Sequence, residues 1–528
     1  MKKLLTLIIL LISINAFAQK ENATVKKIDK VVKLINTQYV DTVDMPHLIE
    51  VAIKAMTKEL DPHSKYLTKE ELKKNREALN GSFAGVGIHY QILYDTLLVL
   101  STTAGGPSEQ AGILPGDRIV EISGQNATGK NITNGFFSKM LRGPKGSTVE
   151  VKIKRRDVDS LVNIVITRGP IPIPTLDAAY MLDNTTGYVK INGFSFTTVK
   201  EFETATEKLK KQGMKNIIVD LRGNPGGLMI ASVRLADEFL NAGELIVYTR
   251  GEHYKRQDYT SSKKGVMKDG RLIVLMNEWS ASASEIFAGA MQDLDRGLIA
   301  GRRSYGKGLV GRNYTLPDGS AIRLTTGHYY TPSGRCIQKP YSDGIDDYRK
   351  DLQKRLDHGE YLHADSIHFP DSLKYQTKNG RTVYGGGGIM PDIFFPMDTT
   401  SFPGYYNKLF RKGIVNAFAG DYFDKNLGYL QRNFPDVKSF KNNFTISDKT
   451  ISDLVAFAER QDNLTVDTAA IGKTKDRIKI FLKAYIGRNL YENGAYYYLT
   501  NETDKVIINS LEIISDKKTF KETKVKWK

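Results

Sequence analysis

The stretch Leu272-Ile-Val-Leu-Met276-Asn277-Glu278-Trp279-Ser280-Ala281-Ser282-Ala283-Ser284-Glu285 decides how this chain is read. Five consecutive apolar residues predict a buried strand, and the small and polar residues after them predict a sharp turn into a helix from about Ala281 to Asp293. A serine at such a turn presents its hydroxyl outward. The helix N-terminus behind it supplies free N–H groups and the positive end of a dipole. Both features suit a nucleophile whose attack creates an oxyanion. Taken alone, the same residues also fit a helix N-cap followed by alanines that allow close packing.

Two neighbouring segments carry compatible chemistry. Asp220-Leu-Arg222-Gly223-Asn224-Pro225-Gly226-Gly227 follows another buried strand, Asn216–Leu221, and its glycines let backbone amides approach a ligand closely. It lacks the GxxxxGK[ST] of a nucleotide loop, which leaves an oxyanion hole or a plain strand-to-helix turn. Tyr305-Gly306-Lys307-Gly308-Leu309-Val310-Gly311-Arg312 places a lysine between glycines at the mouth of a strand. A lysine acting as base must be neutral, and lowering its pKa by roughly three units costs about 4 kcal/mol, which burial can impose. His328 is a rival base that titrates near neutrality without help, but no acid partner is evident.

Outward from this centre, residues about 175–398 alternate strands and helices, the pattern of an α/β sheet with crossovers. Residues 340–384 within it read as a polar, loop-rich insertion. Residues about 22–80 read as helical, with Ile28, Val31, Val32 and Ile35 at helical spacing. Residues about 83–170 hold short strands such as Leu97–Ser101, Ile119–Ile122 and Val149–Ile153 between Gly/Pro turns, a small β-rich module closed by a linker over Gly169–Pro174. Residues about 399–528 are helical again, with Ile478, Phe481, Leu482, Tyr485 and Ile486 in one stripe.

Together the segments resemble the C-terminal processing peptidases, or tail-specific proteases, a serine–lysine family. The resemblance rests on Asp61-Pro62-His63-Ser64, Gly85-Val86-Gly87-Ile88, Leu114-Pro115-Gly116-Asp117, Asp220 through Gly227, Ser280 through Glu285, Gly306-Lys307-Gly308, Tyr330 through Arg335 and Gly387 through Asp392, all in the family's order. It implies Ser282 as nucleophile, Lys307 as general base, and the backbone N–H groups of Gly227 and Ala283 as oxyanion hole. Asp293 would be a structural support. The family usually carries a lysine-orienting glutamine where this chain has Gly311, which predicts a looser dyad. Cys336 matches a position where the family often has serine, so it is not read as a nucleophile. Gly85-Val86-Gly87-Ile88 and the run Gly105–Gly124 are similar to a PDZ domain, whose loop amides hold a terminal carboxylate while its sheet edge takes an added peptide strand. Arg142 is a candidate link between that module and the protease body.

The expected fold is multidomain α+β: a signal peptide over 1–18, an N-terminal helical region over 19–82, a PDZ domain over 83–170, a ClpP/crotonase-like α/β serine protease core over 171–398, and a C-terminal helical extension over 399–528. The expected function is a serine endopeptidase that cleaves apolar C-terminal tails of extracytoplasmic proteins. The alternative is a weak or inactive PDZ scaffold, motivated by Gly311. A homodimer or adaptor contact through the helical regions is a further expectation by analogy.

Composition agrees with these limits. In 528 residues, 41% hydrophobic and 26% charged, there is ample material for several cores and no sign of a disordered chain. One cysteine excludes an intramolecular disulfide and any CxxC site, and the eight histidines include no HExxH, so neither a metal nor another cofactor is expected. Acids and bases are interspersed despite the net charge of +17, which argues against nucleic acid as partner. Lys2 and Lys3, the apolar run Leu4–Ile12 and Ala16-Phe17-Ala18 read as a signal peptide cleaved after Ala18, with export to periplasm or exterior. No cysteine follows for a lipid anchor.

Overall fold

The computed structural model describes residues 23–262, 265–398, 403–522 and 525. The expected signal peptide lies outside them. At the centre is a six-stranded sheet in the order Leu176–Met181, Thr186–Ile191, Asn216–Asp220, Leu272–Met276, Leu298–Gly301, Ile393–Phe394. The first pair is antiparallel and every later pair is parallel. Side chains of a strand alternate between faces. Val219 and Val274 pack with Phe202, Leu235 and Phe287 from the crossover helices on one face. Ile218, Ile273 and Leu275 pack with Ile507, Ile514 and Phe520 from the end of the chain on the other. Both faces are therefore covered, which is why the strands Leu272–Met276 and Leu298–Gly301 read as unbroken apolar runs.

A second, antiparallel sheet stands beside it, built from Leu245–Arg250, Gln257–Thr260, Leu309–Thr315 and Ala321–Tyr330. Its edge takes Lys65–Leu67, so the N-terminal region expected to be helical also contributes a strand to the core, between the helices Met45–Lys58 and Lys69–Asn80. The β-rich module has five main strands from Ile88–Leu93 to Val162–Thr167 around Val86, Leu97, Ile119, Phe137 and Val151. The segment expected as a linker, Gly169–Pro174, is corrected by the structure: Gly169–Pro172 pairs with Ser82–Gly85 as a two-stranded ribbon that gathers both ends of the module. Each strand of such a ribbon keeps an unpaired edge, where proline is tolerated. The insertion expected to be loop-rich likewise contains a helix, Ile345–Asp357, whose charged surface hid its period although Tyr348 and Arg355 are buried.

Residues 404–522 form helices from Gly404–Arg411 to Lys517–Glu522. Phe418, Phe440, Phe457 and Leu482 make their core, and Leu93 and Leu98 of the β-rich module belong to the same apolar cluster. Ion pairs fix the extension on both sides: Arg118 with Asp424 at 2.6 Å in the module, and Arg222 with Asp504 at 2.8 Å in the central body. Among the described residues, no helix is long and apolar enough to cross a membrane.

Candidate active site

The strand Leu272–Met276 delivers the three serines to the carboxyl edge of the parallel sheet, the edge at which open α/β sheets bind ligands. The outer two are structural. Ser280 Oγ donates to the Leu221 carbonyl at 2.8 Å, and Ser284 Oγ donates to the Asn224 carbonyl at 3.0 Å, so both tie the turn to the glycine-rich loop. Ser282 makes no such tie. Its backbone is at φ 56°, ψ −112°, a strained conformation for a residue with a Cβ. Strain of this kind holds a side chain at an apex that relaxed backbone would not reach.

A buried carboxylate joins this apex to the lysine loop. Oε2 of Glu285, which is wholly buried, accepts from the Ser282 backbone N–H at 2.7 Å and from the Lys307 backbone N–H at 2.9 Å. Its Oε1 accepts from Gly306 N–H at 2.7 Å and from Ser304 Oγ at 2.6 Å. Burial pushes the Glu285 pKa up, and these four donors pull against that rise. The Tyr329 hydroxyl, with its single proton, lies within hydrogen-bonding reach of the carbonyls of both Ser282 and Lys307. One oxygen and one hydroxyl thus bring the two loops together through their backbones. No direct hydrogen bond joins Ser282 Oγ to Lys307 Nζ.

Burial, reinforced by the like charge of Arg323, holds the Lys307 amine below the ordinary lysine value. Lys307 precedes the strand Leu309–Thr315, so the alternation expected to place 307, 309 and 311 on one face does not reach it. A Cβ at Gly311 would lie 3.3 Å from Cγ of Arg323, so this arginine covers the place of the missing glutamine. Arg323 Nε is held by Asn313 Oδ1 at 2.9 Å. On its other side Lys307 faces the Asp61–Ser64 segment. There burial and the lysine's charge lower the His63 imidazole to about 4, and His63 Nε2 pairs with the Tyr348 hydroxyl at 2.9 Å. His328 is also lowered by burial, and Cys336 is raised by it. Neither lies among the bonds that join the Ser282 and Lys307 loops.

Gly227 and Ala283, the expected oxyanion donors, lie on the glycine-rich loop and at the first turn of the helix behind Ser282. Phe194 donates to the Gly226 carbonyl and accepts from Leu228, a parallel bridge that turns the Gly227 N–H away from it. A Cβ at Gly227 would run into the Phe194 carbonyl, so only glycine permits this approach. The N–H groups of Gly227 and Ala283 have no acceptor among the described residues. Asp293 lies at the far end of the helix Ala283–Asp293, where it accepts from Arg335 at 2.7 Å and from Ser333 N–H at 3.0 Å. It braces the Ser333–Arg335 loop and touches no group at the Ser282 bend.

In the β-rich module, the N–H groups of Val86 and Gly87 also have no acceptor among the described residues, while their carbonyls bond Ser108 and Thr103. Ile88 leads into an edge strand, Ile88–Leu93, whose outer side is unpaired. Arg142 pairs with Glu77 at 3.3 Å and lies 4.0 Å from the Phe83 ring centroid, contacts that join the module to the helix and ribbon before it. Sequence reasoning quoted Glu285 and His63 only as parts of motifs, and it missed Tyr329 and Arg323. Glu285 was findable, since an acid at the third helical position often reaches back to the N-cap. Tyr329 and Arg323 sit on an ordinary strand with no local signal.

A strained serine, two unspent amides and a peptide-binding module define a serine-type peptidase. Family models agree: peptidase family S41 matches residues 185–347, a PDZ domain 98–155, the activating protease CtpB N-terminal domain 12–71, and a family of unknown function 405–492. The chain is 35% identical over 455 residues to a probable CtpA-like serine protease of Staphylococcus epidermidis, covering 85% of this chain and 86% of that one. It is 38% identical over 309 residues to the carboxy-terminal-processing protease of Bartonella bacilliformis, covering 58% of this chain and 70% of that one. Among solved structures, the photosystem II D1 C-terminal processing protease matches with 26% identity and a TM-score of 0.36, over 69% of this chain and 86% of that one. The chain belongs to peptidase family S41, among the carboxy-terminal-processing proteases.

Proposed function

We propose that the protein is an exported serine endopeptidase that captures loose, apolar C-terminal tails of extracytoplasmic proteins and cleaves them through Ser282 and Lys307. The observation that carries this reading is the shared Glu285 oxygen, which binds the backbone N–H groups of both residues. Neutral Lys307 takes the Ser282 proton as Oγ attacks the scissile carbonyl, and it returns a proton to the leaving amine. The Gly227 and Ala283 amides receive the oxyanion, a contribution in which loss of one donor typically costs about 10²–10³ in rate. Water then resolves the acyl-enzyme with the same amine as base. Val86 and Gly87 amides would hold the tail's carboxylate while the tail adds as a strand to Ile88–Leu93. Export rests on the pattern in residues 1–18.

The scaffold alternative draws on Gly311. The depressed amine of Lys307 and the cover that Arg323 gives that position argue against it. The test is to incubate the full chain and its Ser282→Ala variant with an unfolded protein bearing an apolar C-terminus. Fragments from the first tube alone support the peptidase. Equal intact substrate in both tubes overturns it.

A further inference from the structure

A cavity of about 740 Å³ begins at the Val86–Gly87 loop and the helix Asn134–Leu141, and its far wall is the C-terminal extension, through Arg488, Asn489 and Glu492. The edge strand Ile88–Leu93 lies between. Its alternation fixes what each wall can touch. Ile88, Tyr90 and Ile92 pack into the module's own core. Gln91 and Leu93 face the extension: Gln91 Nε2 donates to the Asn416 carbonyl at 3.4 Å, and Leu93 is buried in the extension's apolar cluster. His89 shares that face by period.

A tail that adds as a strand beside Ile88 obeys the same alternation. Its last side chain turns toward the helix Asn134–Leu141, and the one before it turns toward the extension. On an isolated module that penultimate side chain would meet water. Here it meets a wall whose groups are unevenly committed. Arg488 already donates to Asn416 Oδ1 at 2.6 Å. Asp177, on the same cavity, accepts from Asn192, Asn493 and Tyr497. Asn489 is only 6% exposed, and its Nδ2 has no hydrogen-bond partner. A buried amide left without a partner costs about 1–3 kcal/mol, so a turn of the Asn489 side chain that brings Nδ2 to a ligand acceptor in the cavity it lines is favoured. The carboxylate of Asp177, held by its donors, opposes a penultimate acid, while Glu492 is exposed at the rim, and the guanidinium of Arg488 opposes a penultimate base.

We infer that the C-terminal extension is the second half of the tail-binding site, and that Asn489 selects tails with an uncharged polar residue, such as Gln or Ser, in the penultimate position. This rests on the proposed capture of tails by the Val86–Gly87 loop. The test uses the full chain with Ser282→Ala, so that nothing is cut, and labelled ten-residue peptides ending in Val, read by fluorescence anisotropy. Penultimate Gln should bind about five-fold tighter than penultimate Leu, the size of one hydrogen bond. Asn489→Leu, nearly isosteric, should erase that preference while keeping the Leu peptide bound, which also shows that the site is intact. Equal binding of the two peptides, or a preference that survives Asn489→Leu, overturns the inference alone. Loss of all binding, or binding unchanged when the peptide's C-terminus is amidated, overturns the capture reading and the inference with it.

Discussion

Around Ser282, the serine turn, the glycine-rich loop and the lysine loop each come from a segment with its own motif, and a buried carboxylate ties the serine turn to the lysine loop. Around the groove of the PDZ module, one wall is a recognisable loop, and the other arrives from helices nearly 400 residues further along the chain. The first region is closed, hydrogen-bonded through backbone, and tolerant of little change. The second is open, and the selectivity inferred for it belongs to helix side chains that carry no motif. In the proposed mechanism chemistry and recognition lie in separate regions, so each should be breakable without the other.

Ser282→Ala gives the sharpest separation. Cleavage should fall by about 10³-fold or more, while tail binding measured by anisotropy stays within about two-fold. Lost binding would mean that the two regions are one. Glu285→Ala should come next. It strands the N–H groups of Ser282, Gly306 and Lys307, each at about 1–3 kcal/mol, and lets the two loops part. Peptide turnover should drop by about 10²-fold, and the thermal midpoint should fall, with tail affinity unchanged.

Gly227→Ala tests the amide pair with less damage to the fold. Its Cβ collides with the Phe194 carbonyl and turns one donor away, for a loss of about 10² in kcat with little change in KM. The pH profile probes Lys307. Only its neutral form accepts a proton, so the rate should rise with pH, with a midpoint below the ordinary lysine value. Arg323→Met removes a like charge, so that midpoint should move upward and the rate at neutral pH should fall about three- to ten-fold. An unmoved midpoint would exclude Arg323 from tuning the amine. Gly311→Gln should have the smallest effect, an increase of about two-fold in turnover if its amide displaces Arg323 and orients the lysine. An unchanged rate would show that the third position is irrelevant here.

The contrast also explains what could be read early. The strands Leu272–Met276 and Leu298–Gly301 were legible because burial on both faces leaves an apolar run with no polar interruption. The Ser282 turn was legible because only small residues fit it. The ribbon Gly169–Pro172 was hidden by its prolines, which signal a linker unless the partner strand is known. The helix Ile345–Asp357 was hidden because most of its surface is charged. Glu285 was visible as a residue and invisible as a clasp, since its four donors come from two segments of the chain, the Ser282 turn and the Ser304–Lys307 loop.

Sequence by itself determined most elements of the central body, their order, the serine bend and the glycines beside it, because these follow from local sterics and from the period of apolar residues. The tertiary structure alone decided that Arg323 stands where Gly311 has no side chain, that Tyr329 and Glu285 clasp two loops, and that Asn489 faces the groove of a distant module. Those facts depend on which surfaces meet when separate segments are buried against one another, and no local pattern along a chain encodes such a meeting.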